Sequence, residues 1–324
     1  MKRLLLLFVS LYLLHIPSLL FADDCTDALE EAKSCYEQGD YVKAKALFEY
    51  VQAECGDDYG DVVTWISKCA NVSHNIVTKD FVVNGVSFKM VYIQGGTFNM
   101  GATDEQGKKD SESALPVHKV TVSDFYMSQT EVTQALWQCV MGSDVNEQSK
   151  KGTYRTLLAG VGNTHPMYYI SWNDCQKFIT KLNQLTGEQF RMPTEAEWEF
   201  AARGGVYSKG YKYAGSNVLK NVAWYYTNSS STTHPVALKE PNELGLYDMC
   251  GNVQEWCLDL KGDYTNEDQY NPQGAKKGSY RIVRGGCHYT IPIDTRISAR
   301  YWTITSDRNN ALGLRLVMHK NTQE

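Results

Sequence analysis

Basic residues are not in excess in this sequence. Its 324 residues include 32 lysines and arginines against 37 aspartates and glutamates, which gives a formal net charge of −5. Nucleic acids and anionic lipid surfaces are bound through clustered positive charge, so neither is an expected partner. Long hydrophobic runs are also scarce. The longest lies near the N-terminus and is interrupted at Pro17 after about a dozen apolar residues, which is too short to span a bilayer.

Residues 1–22 have the pattern of a signal peptide. Lys2 and Arg3 precede the apolar run, and Ala22 precedes two acidic residues. This order of positive charge, apolar segment and small residue predicts cleavage near Ala22. We therefore expect a mature protein that is secreted or periplasmic, in a bacterial envelope, with no membrane span once the signal peptide is removed.

All nine cysteines lie in the expected mature chain. An odd number leaves at least one thiol unpaired unless it bonds another chain. Four of them, Cys25, Cys35, Cys55 and Cys69, fall in the N-terminal region, where a small core gains most from cross-links. One or two disulfides are expected there, with the pairing left open.

Residues 23–70 show the apolar spacing of helices, broken at Gly39. Within them, residues 32–51 resemble one tetratricopeptide unit, with small and aromatic residues at the positions that such repeats use for helix pairing. A single repeat cannot bury its own face, so packing is favoured over peptide binding, and both remain open. A polar linker at 71–80 is expected to separate this region from a larger domain over 81–319.

Within the larger domain, residues 81–93 alternate like strands around Asn84-Gly85 and predict a hairpin. Further along, Thr194 followed by Glu197 is a capping box that predicts the start of a helix. The glycine-rich segment 95–101 has no lysine at the spacing of a phosphate-binding loop, so nucleotide binding is not indicated. The larger domain is therefore expected to mix strands and helices.

The segment 241–259, PNELGLYDMCGNVQEWCLD, combines turn-forming glycine and asparagine with an apolar side. Asp248 and Glu255 flank Gly251, and a glycine turn directs backbone carbonyls inward between them. Carboxylate and carbonyl oxygens are the ligands that calcium takes. From spacing alone, a turn cap at Asp248 and a solvent-facing Glu255 are the favoured alternative.

Together these segments resemble the sulfatase-modifying-factor family, whose best-known member is the formylglycine-generating enzyme. The resemblance spans about residues 88–317, in family order. It implies an irregular α+β fold related to C-type lectins, with bound calcium, preceded here by the small helical region. The matching blocks are GGTFNMG (95–101), VTVSDFYMSQTEVTQALW (120–137), HPMYYISWNDC (165–175), RMPTEAEWEFAARGG (191–205), NVAWYY (221–226), HPVALKEPNELGLYDMCGNVQEW (234–256), RIVRGG (281–286), ISAR and ALGLRLV.

The resemblance also implies two calcium sites. The remaining ligands of the second site would fall near residues 228–230, in a loop shorter than the family's, and are not placed. The implied ligands are the side chains of Asp248 and Glu255 with the carbonyls of Gly251 and Val253 at the first site, and Asn221 with the carbonyl of Val222 at the second.

The family enzyme oxidises a substrate cysteine to formylglycine with O₂ and a copper ion held by two cysteine thiolates, soft ligands that suit Cu(I). The resemblance places both thiolates between Gly286 and Arg296, where the sequence reads CHYTIPIDT. Only Cys287 carries sulfur there, and Thr290 and Thr295 fall at or near the two thiolate positions. The histidines also lack the HxxxHxE spacing of iron-binding relatives. We therefore expect the standard copper chemistry to be lost or changed.

Two functions are left as alternatives. One is a divergent oxidoreductase that acts on an exported protein, with Cys287 as the candidate catalytic residue. The other is a non-catalytic module of the envelope that binds a peptide or glycan on the same scaffold. The missing second cysteine favours binding, while the scaffold motifs suit either function. The cleft expected in both cases is lined by Trp256, Cys287, His288, Tyr289, Arg296 and Arg300.

Overall fold

The computed structural model describes residues 25–37, 41–55, 61–71, 76–107, 112–152 and 157–320. Residues 1–22, the expected signal peptide, lie outside these ranges. The chain divides into two compact units, residues 1–75 and 76–324. No helix within the described ranges is long and apolar enough to cross a membrane.

The N-terminal unit is helical, as the spacing of its apolar residues predicts. Phe48 is fully buried at its centre and stacks on Trp65 with 5.6 Å between the ring centroids. Gly39, the expected break between helices, lies outside the described residues, and the tetratricopeptide likeness stays a prediction. The helices are α1 (Cys25–Glu37), α2 (Tyr41–Cys55) and α3 (Val62–Asn71).

A disulfide joins Cys25 at the start of α1 to Cys55 at the end of α2. Because the bridge spans a sequence separation of 30, its removal should return entropy to the unfolded chain and cost about 3 kcal/mol of stability. We expect Cys25→Ser/Cys55→Ser to make residues 25–71 cleavable by trypsin at doses that leave 76–320 intact. Mass spectrometry of the fragments is the measurement.

The control for this prediction is Cys139→Ser, which alters a partly exposed cysteine that forms no disulfide. That variant should keep the protease resistance of the N-terminal unit. Equal resistance of both units in the bridged and unbridged proteins would contradict the stabilising role of the disulfide.

The larger unit contains short strands and helices in alternation. Its strands are β1 (Thr78–Val83), β2 (Val86–Ile93), β3 (Gly96–Met100), β4 (His118–Val122), β5 (Phe125–Ser128), β6 (Phe190–Arg191), β7 (Ala223–Trp224), β8 (Cys250–Gly251), β9 (Gln254–Leu260), β10 (Gln269–Tyr270), β11 (Tyr280–Arg284), β12 (Tyr301–Ile304), β13 (Leu312–Gly313) and β14 (Val317–His319). Its α-helices are α4 (Gln134–Met141), α5 (Val145–Ser149), α6 (Trp172–Thr186), α7 (Glu195–Ala202) and α8 (Leu219–Val222).

The strands of the larger unit form several small sheets. A five-stranded sheet has the order β1-β2-β5-β14-β6, and the others have the orders β10-β4-β3, β12-β11-β9-β13 and β7-β8. The predicted hairpin is present, because β1 and β2 pair antiparallel around Asn84 and Gly85, and it begins at Thr78. Both turn residues have positive φ, 48° and 83°, as a tight hairpin turn requires.

Helix α7 begins as predicted. Thr194 Oγ1 accepts a hydrogen bond from Glu197 N at 3.1 Å, and Glu197 Oε2 accepts one from Thr194 N at 2.9 Å. Every residue of this helix is buried. Glu195 and Glu199 therefore lie inside the protein, where carboxylates require ion pairs or hydrogen bonds.

Two hydrophobic clusters fill the larger unit. One includes Trp137 and Trp256, and the other includes Trp198 and Cys257. Because successive side chains of a strand point to opposite faces, β9 supplies Trp256 to one cluster and Cys257 to the other. This strand is thus anchored on both faces, and it fixes the end of the 241–259 segment.

Candidate functional site

The 241–259 segment is packed into the protein. Asp248 and Asn252 have φ of 57° and 56°, and Gly251 has φ of 82°, a left-handed conformation that suits glycine. A Cβ atom at Gly251 would lie 2.2 Å from the carbonyl oxygen of Trp224. Since β7 and β8 pair at this point, only a glycine permits the close approach of these two strands.

Two buried carboxylates, Asp248 and Glu131, carry unpartnered oxygens. Asp248 Oδ2 accepts from Ala237 N at 2.8 Å, and Glu131 Oε2 accepts a long bond of 3.4 Å from Asn252 Nδ2. The other oxygen of each has no partner among the described residues. Burial raises the pKa of Asp248 to about 6, and burial together with the charge of Asp248 raises the pKa of Glu131 well above its usual range. Such a pair is suited to a cation.

Glu255 is engaged by other side chains. Arg315 Nε donates to its two oxygens at 2.9 and 3.0 Å, and Trp198 Nε1 donates to Oε2 at 2.6 Å. A carboxylate paired with a guanidinium and an indole has little capacity left for a metal ion. Nowhere in the described part of the chain do three His, Cys, Asp or Glu side chains gather into a metal centre. A cation here would depend on two carboxylates and on backbone carbonyls.

The groups expected at the second calcium site are also engaged. The carbonyl of Asn221, which lies beside Val222 at the end of α8, accepts from a backbone N–H at 3.0 Å. Asn228 uses its amide on two nearby backbone groups, and Ser229 Oγ donates to a carbonyl. Lys239 Nζ donates to the carbonyl just before Asn221 at 2.8 Å. Hydrogen bonds thus use the Asn221 carbonyl and the Asn228 amide, and an ammonium lies on the adjoining Lys220 carbonyl. The second calcium site stays a prediction.

The segment 287–295 is tied to itself by hydrogen bonds. Thr290 Oγ1 accepts from Cys287 N at 2.9 Å and lies 3.1 Å from Cys287 Sγ. Thr295 Oγ1 donates to Ile291 O at 2.9 Å. Cys287 is 1% exposed and forms no disulfide, and burial raises the pKa of its thiol. The thiol is therefore protonated at neutral pH, which is the opposite of a reactive thiolate.

The six residues expected to line one cleft are mostly buried, and only Tyr289, 46% exposed, reaches the surface. Trp256 belongs to the core, where its Nε1 donates to Ile170 O at 2.9 Å. Asn252 O accepts from His288 N at 2.9 Å and from His288 Nδ1 at 3.2 Å. Burial lowers the pKa of His288, so the ring is neutral at pH 7. The geometry therefore differs from the expectation of one open cleft.

Arg296 and Arg300 line small cavities instead. A cavity of about 60 Å³ lies between them, and Arg300 also borders one of about 150 Å³. Arg296 donates to Gln106 O at 2.6 Å, and Arg300 donates to both oxygens of Glu195 at 2.7 and 2.8 Å. Both guanidinium groups thus hold segments that are distant in sequence together.

Comparison with known proteins identifies the family of the domain that carries this site. The sulfatase-modifying factor enzyme 1-like domain matches residues 77–320. The chain belongs to this family. The formylglycine-generating enzyme of Mus musculus is 28% identical over 285 residues, which cover 70% of this chain and 74% of that protein. The serine/threonine-protein kinase pkn1 of Chlamydia pneumoniae is 31% identical over 251 residues, which cover 72% of this chain but only 38% of the relative.

Among solved structures, Treponema denticola variable protein 1 matches this sulfatase-modifying-factor domain with a TM-score of 0.66 and 29% identity. The match covers 75% of this chain and 99% of that chain. The predicted α+β fold, irregular and C-type-lectin-like and preceded by a small helical region, is thereby confirmed.

Sequence reasoning does not single out Glu131 and Arg315, although both lie at the centre of the site. The N-cap of α4 is Thr133, so Glu131 stands before the helix and is buried. Arg315 is the one charged residue in the apolar run ALGLRLV. A charge inside an apolar run signals a buried ion pair, and that signal could have located it.

Proposed function

We propose that this chain is an exported sulfatase-modifying-factor domain that lacks copper-dependent cysteine oxidation and binds a peptide or glycan of an envelope partner on a calcium-stabilised scaffold. The observation that carries the proposal is that the two threonines at the expected thiolate positions already form hydrogen bonds. Thr290 and Thr295 use their hydroxyls in hydrogen bonds within their own turn. Export rests on the signal-peptide pattern of residues 1–22.

The residues present do not fit a copper ion held by two thiolates. A threonine hydroxyl is a hard ligand that stays protonated, so it cannot replace a soft thiolate for Cu(I). Cys287, which supplies the only sulfur of the 287–295 segment, is buried against Thr290 and its pKa is raised. We therefore assign no oxidation step to this segment, and the geometry disfavours the alternative of a divergent oxidoreductase acting through Cys287.

The residues around the 241–259 segment do fit a calcium ion. Asp248 and Glu131 supply unpartnered buried oxygens, and the family resemblance adds the carbonyls of Gly251 and Val253. A bound divalent cation would neutralise two carboxylates whose pKa values burial raises. In this proposal Glu255 forms an ion pair with Arg315, and this ion pair fixes the start of β9.

The surface beside Cys287 supports the binding role. Tyr226, Tyr289 and Ile291 are 60%, 46% and 48% exposed. Their two segments are adjacent, because Tyr226 N donates to Thr290 O at 3.1 Å. Exposed aromatic rings provide large, rigid contact area for peptides and sugars. We place the partner contact on this surface.

Metal analysis and oxygen consumption test the proposal. After loading with Cu(I) and desalting, the purified mature protein is expected to retain far less than one copper per chain. With a cysteine-containing peptide it should consume no O₂ above background, while an active formylglycine-generating enzyme treated identically serves as the positive control. Cys287→Ser should behave as the wild type. Stoichiometric copper with O₂ uptake that Cys287→Ser abolishes would overturn the proposal.

A further inference from the structure

A cavity of about 150 Å³ lies where the start of α7, the end of β9 and the loop after β9 meet. Its wall is partly apolar, with Met100, Leu260 and Ala275 among the lining residues. Asp263 of this loop and Gly274, which follows β10, are exposed residues of the lining. The polar side chains that line the cavity are His118, Glu195, Asp259, Asp263, Tyr264, Gln269 and Arg300.

One acidic side chain on this wall has no ion-pair partner. Glu195 is neutralised by Arg300, which donates to both of its oxygens at 2.7 and 2.8 Å. Arg300 also donates to the carbonyls of Ser113 and Gly262. Asp259 is 3% exposed and forms no salt bridge with any described residue, and its Oδ2 accepts from Glu195 N at 2.9 Å. The wall thus presents one carboxyl group that a cation can pair with when the carboxyl is ionised.

Tyr264 holds two side chains of the wall in place. The Arg300 guanidinium lies 3.9 Å from its ring centroid, and the His118 ring lies at 4.6 Å. Its hydroxyl is buried, and it has no hydrogen-bond partner among the described residues. Asp259 therefore remains the acidic group of the wall that a molecule in the cavity can contact.

We propose that this cavity binds a primary ammonium group carried on a short alkyl chain, with Asp259 as its hydrogen-bond acceptor. An ammonium has three N–H donors and a positive charge, which suit a buried carboxylate. The apolar part of the wall accepts the methylene groups. A cavity of about 150 Å³ is known to hold a molecule of about six heavy atoms such as benzene, and a butylammonium or lysine side chain is of this size.

Other ligand classes fit this wall less well. An anion would meet three carboxyl groups, while Arg300 is already bonded to Glu195 and to two carbonyls. A metal ion would have few ligands, because no three His, Cys, Asp or Glu side chains gather in the described part of the protein. The inference is separate from the copper and calcium proposals, since none of its residues belongs to those sites.

Calorimetric titration with n-butylammonium chloride at constant ionic strength tests the inference. We expect saturable binding to the full mature protein, and at least about tenfold weaker binding in Asp259→Asn because a charge-assisted bond is lost. Glu267→Gln, which alters an exposed acid of the same loop outside the cavity lining, is the matched control and should bind as the wild type. Tetramethylammonium, which has no N–H donor, should not bind.

A second arm distinguishes the source of the ammonium group. Free butylammonium and a peptide with one lysine are compared, together with the same peptide carrying acetyl-lysine. Binding of both amines but not of the acetylated peptide indicates that the cavity accepts a lysine side chain, and binding of butylammonium alone indicates a free amine. No binding of either amine, or equal binding by Asp259→Asn, would overturn the inference. Circular dichroism shows that each variant is folded.

The pH dependence gives an independent check. Burial, and then the charge of Glu195, raises the pKa of Asp259 to about 8. Since only the ionised carboxylate pairs with an ammonium, affinity should rise about tenfold per pH unit from pH 6 to 8 and level off above pH 8. Asp259→Asn should lack this rise, and a wild-type affinity that does not change with pH would contradict the role of Asp259. The other titratable and charged groups that line the cavity or act on Asp259 are His118, Glu195, Glu197, Cys257, Asp263, Tyr264, Arg281 and Arg300.

Discussion

Replacing Glu199 with glutamine is expected to lower the free energy of unfolding by about 4 to 5 kcal/mol, because it leaves two buried arginines without their shared anion. Glu199 is 0% exposed. Its Oε1 accepts from Arg203 Nε at 3.0 Å and Nη2 at 2.8 Å and from Gly101 N at 2.8 Å. Its Oε2 accepts from Arg284 Nη2. Glutamine keeps the shape but offers one acceptor oxygen and no charge.

The lowered pKa of Glu199 makes the effect of this substitution on stability depend on pH. Burial alone would raise the pKa of Glu199, but Arg203 and Arg284 outweigh it and hold the pKa below its usual value. A carboxyl whose pKa is lowered on folding stabilises the protein above its unfolded pKa, and this contribution is lost as the pH falls through the folded pKa. The difference between wild type and Glu199→Gln should therefore be full at pH 7 and shrink in acid.

Urea unfolding at pH 7, followed by tryptophan fluorescence, measures this effect. The control is Asp268→Asn, which removes an exposed pair with Lys119 whose atoms are 3.6 Å apart. That variant should lose less than about 1 kcal/mol, since exposed ion pairs contribute little. A loss at Glu199 no larger than at Asp268 would show that the buried network does not stabilise the fold.

The same residues show how far the sequence predicts the fold. The capping box of Thr194 and Glu197 is local, and its chemistry is complete within four consecutive residues, so the start of α7 is predictable. Glu199 and Glu195 look like further acids of a helix start. Their partners Arg284 and Arg300 lie 85 and 105 residues away in sequence, and no spacing rule connects them. Only the folded chain shows that these acids form buried ion pairs.

In the candidate site, too, local features are predictable from the sequence and long-range contacts are not. The tight, packed loop is predictable because glycine and asparagine at the turn determine its conformation, and the absence of a second cysteine can be read directly from the 287–295 segment. The ion pair of Glu255 is not predictable, because its partner Arg315 stands 60 residues later. Glu131 likewise reaches the loop from 121 residues earlier, through Asn252. The calcium ligands proposed here differ from those expected from the sequence because of these long-range contacts.

Removing calcium from the wild-type protein is expected to lower its melting temperature by about 10 °C. A ligand present at about a thousand times its dissociation constant stabilises the native state by about 4 kcal/mol, and each kcal/mol shifts Tm by about 2 to 4 °C in a domain of this size. The reason lies in Asp248 and Glu131, whose unpartnered oxygens are buried. Calorimetry with EGTA against 1 mM calcium measures the shift, with magnesium as the ion control.

Variants separate a bound ion from a general effect of chelator. In Glu131→Gln and Asp248→Asn the calcium-dependent part of Tm should disappear, while the calcium-free proteins should be no less stable than calcium-free wild type, because a buried charge has been removed. Glu243→Gln is the matched control, since burial also raises the pKa of Glu243 but this residue lies outside the proposed ligand set. It should keep the full response to calcium. A wild-type Tm that EGTA leaves unchanged would refute the calcium proposal.

The number of calcium ions tests the assignment of the two sites. One ion per chain is expected in a calorimetric titration, because the Asn221 carbonyl and the Asn228 amide already form hydrogen bonds and the Lys239 ammonium lies on the adjoining Lys220 carbonyl. An ammonium group repels a calcium ion bound beside it. Two ions per chain would therefore require Lys239 to leave the Lys220 carbonyl and its place 3.9 Å from the Trp224 ring centroid. One ion per chain indicates a scaffold held by one calcium ion and one internal ammonium group. Two ions per chain indicate a scaffold held by two calcium ions.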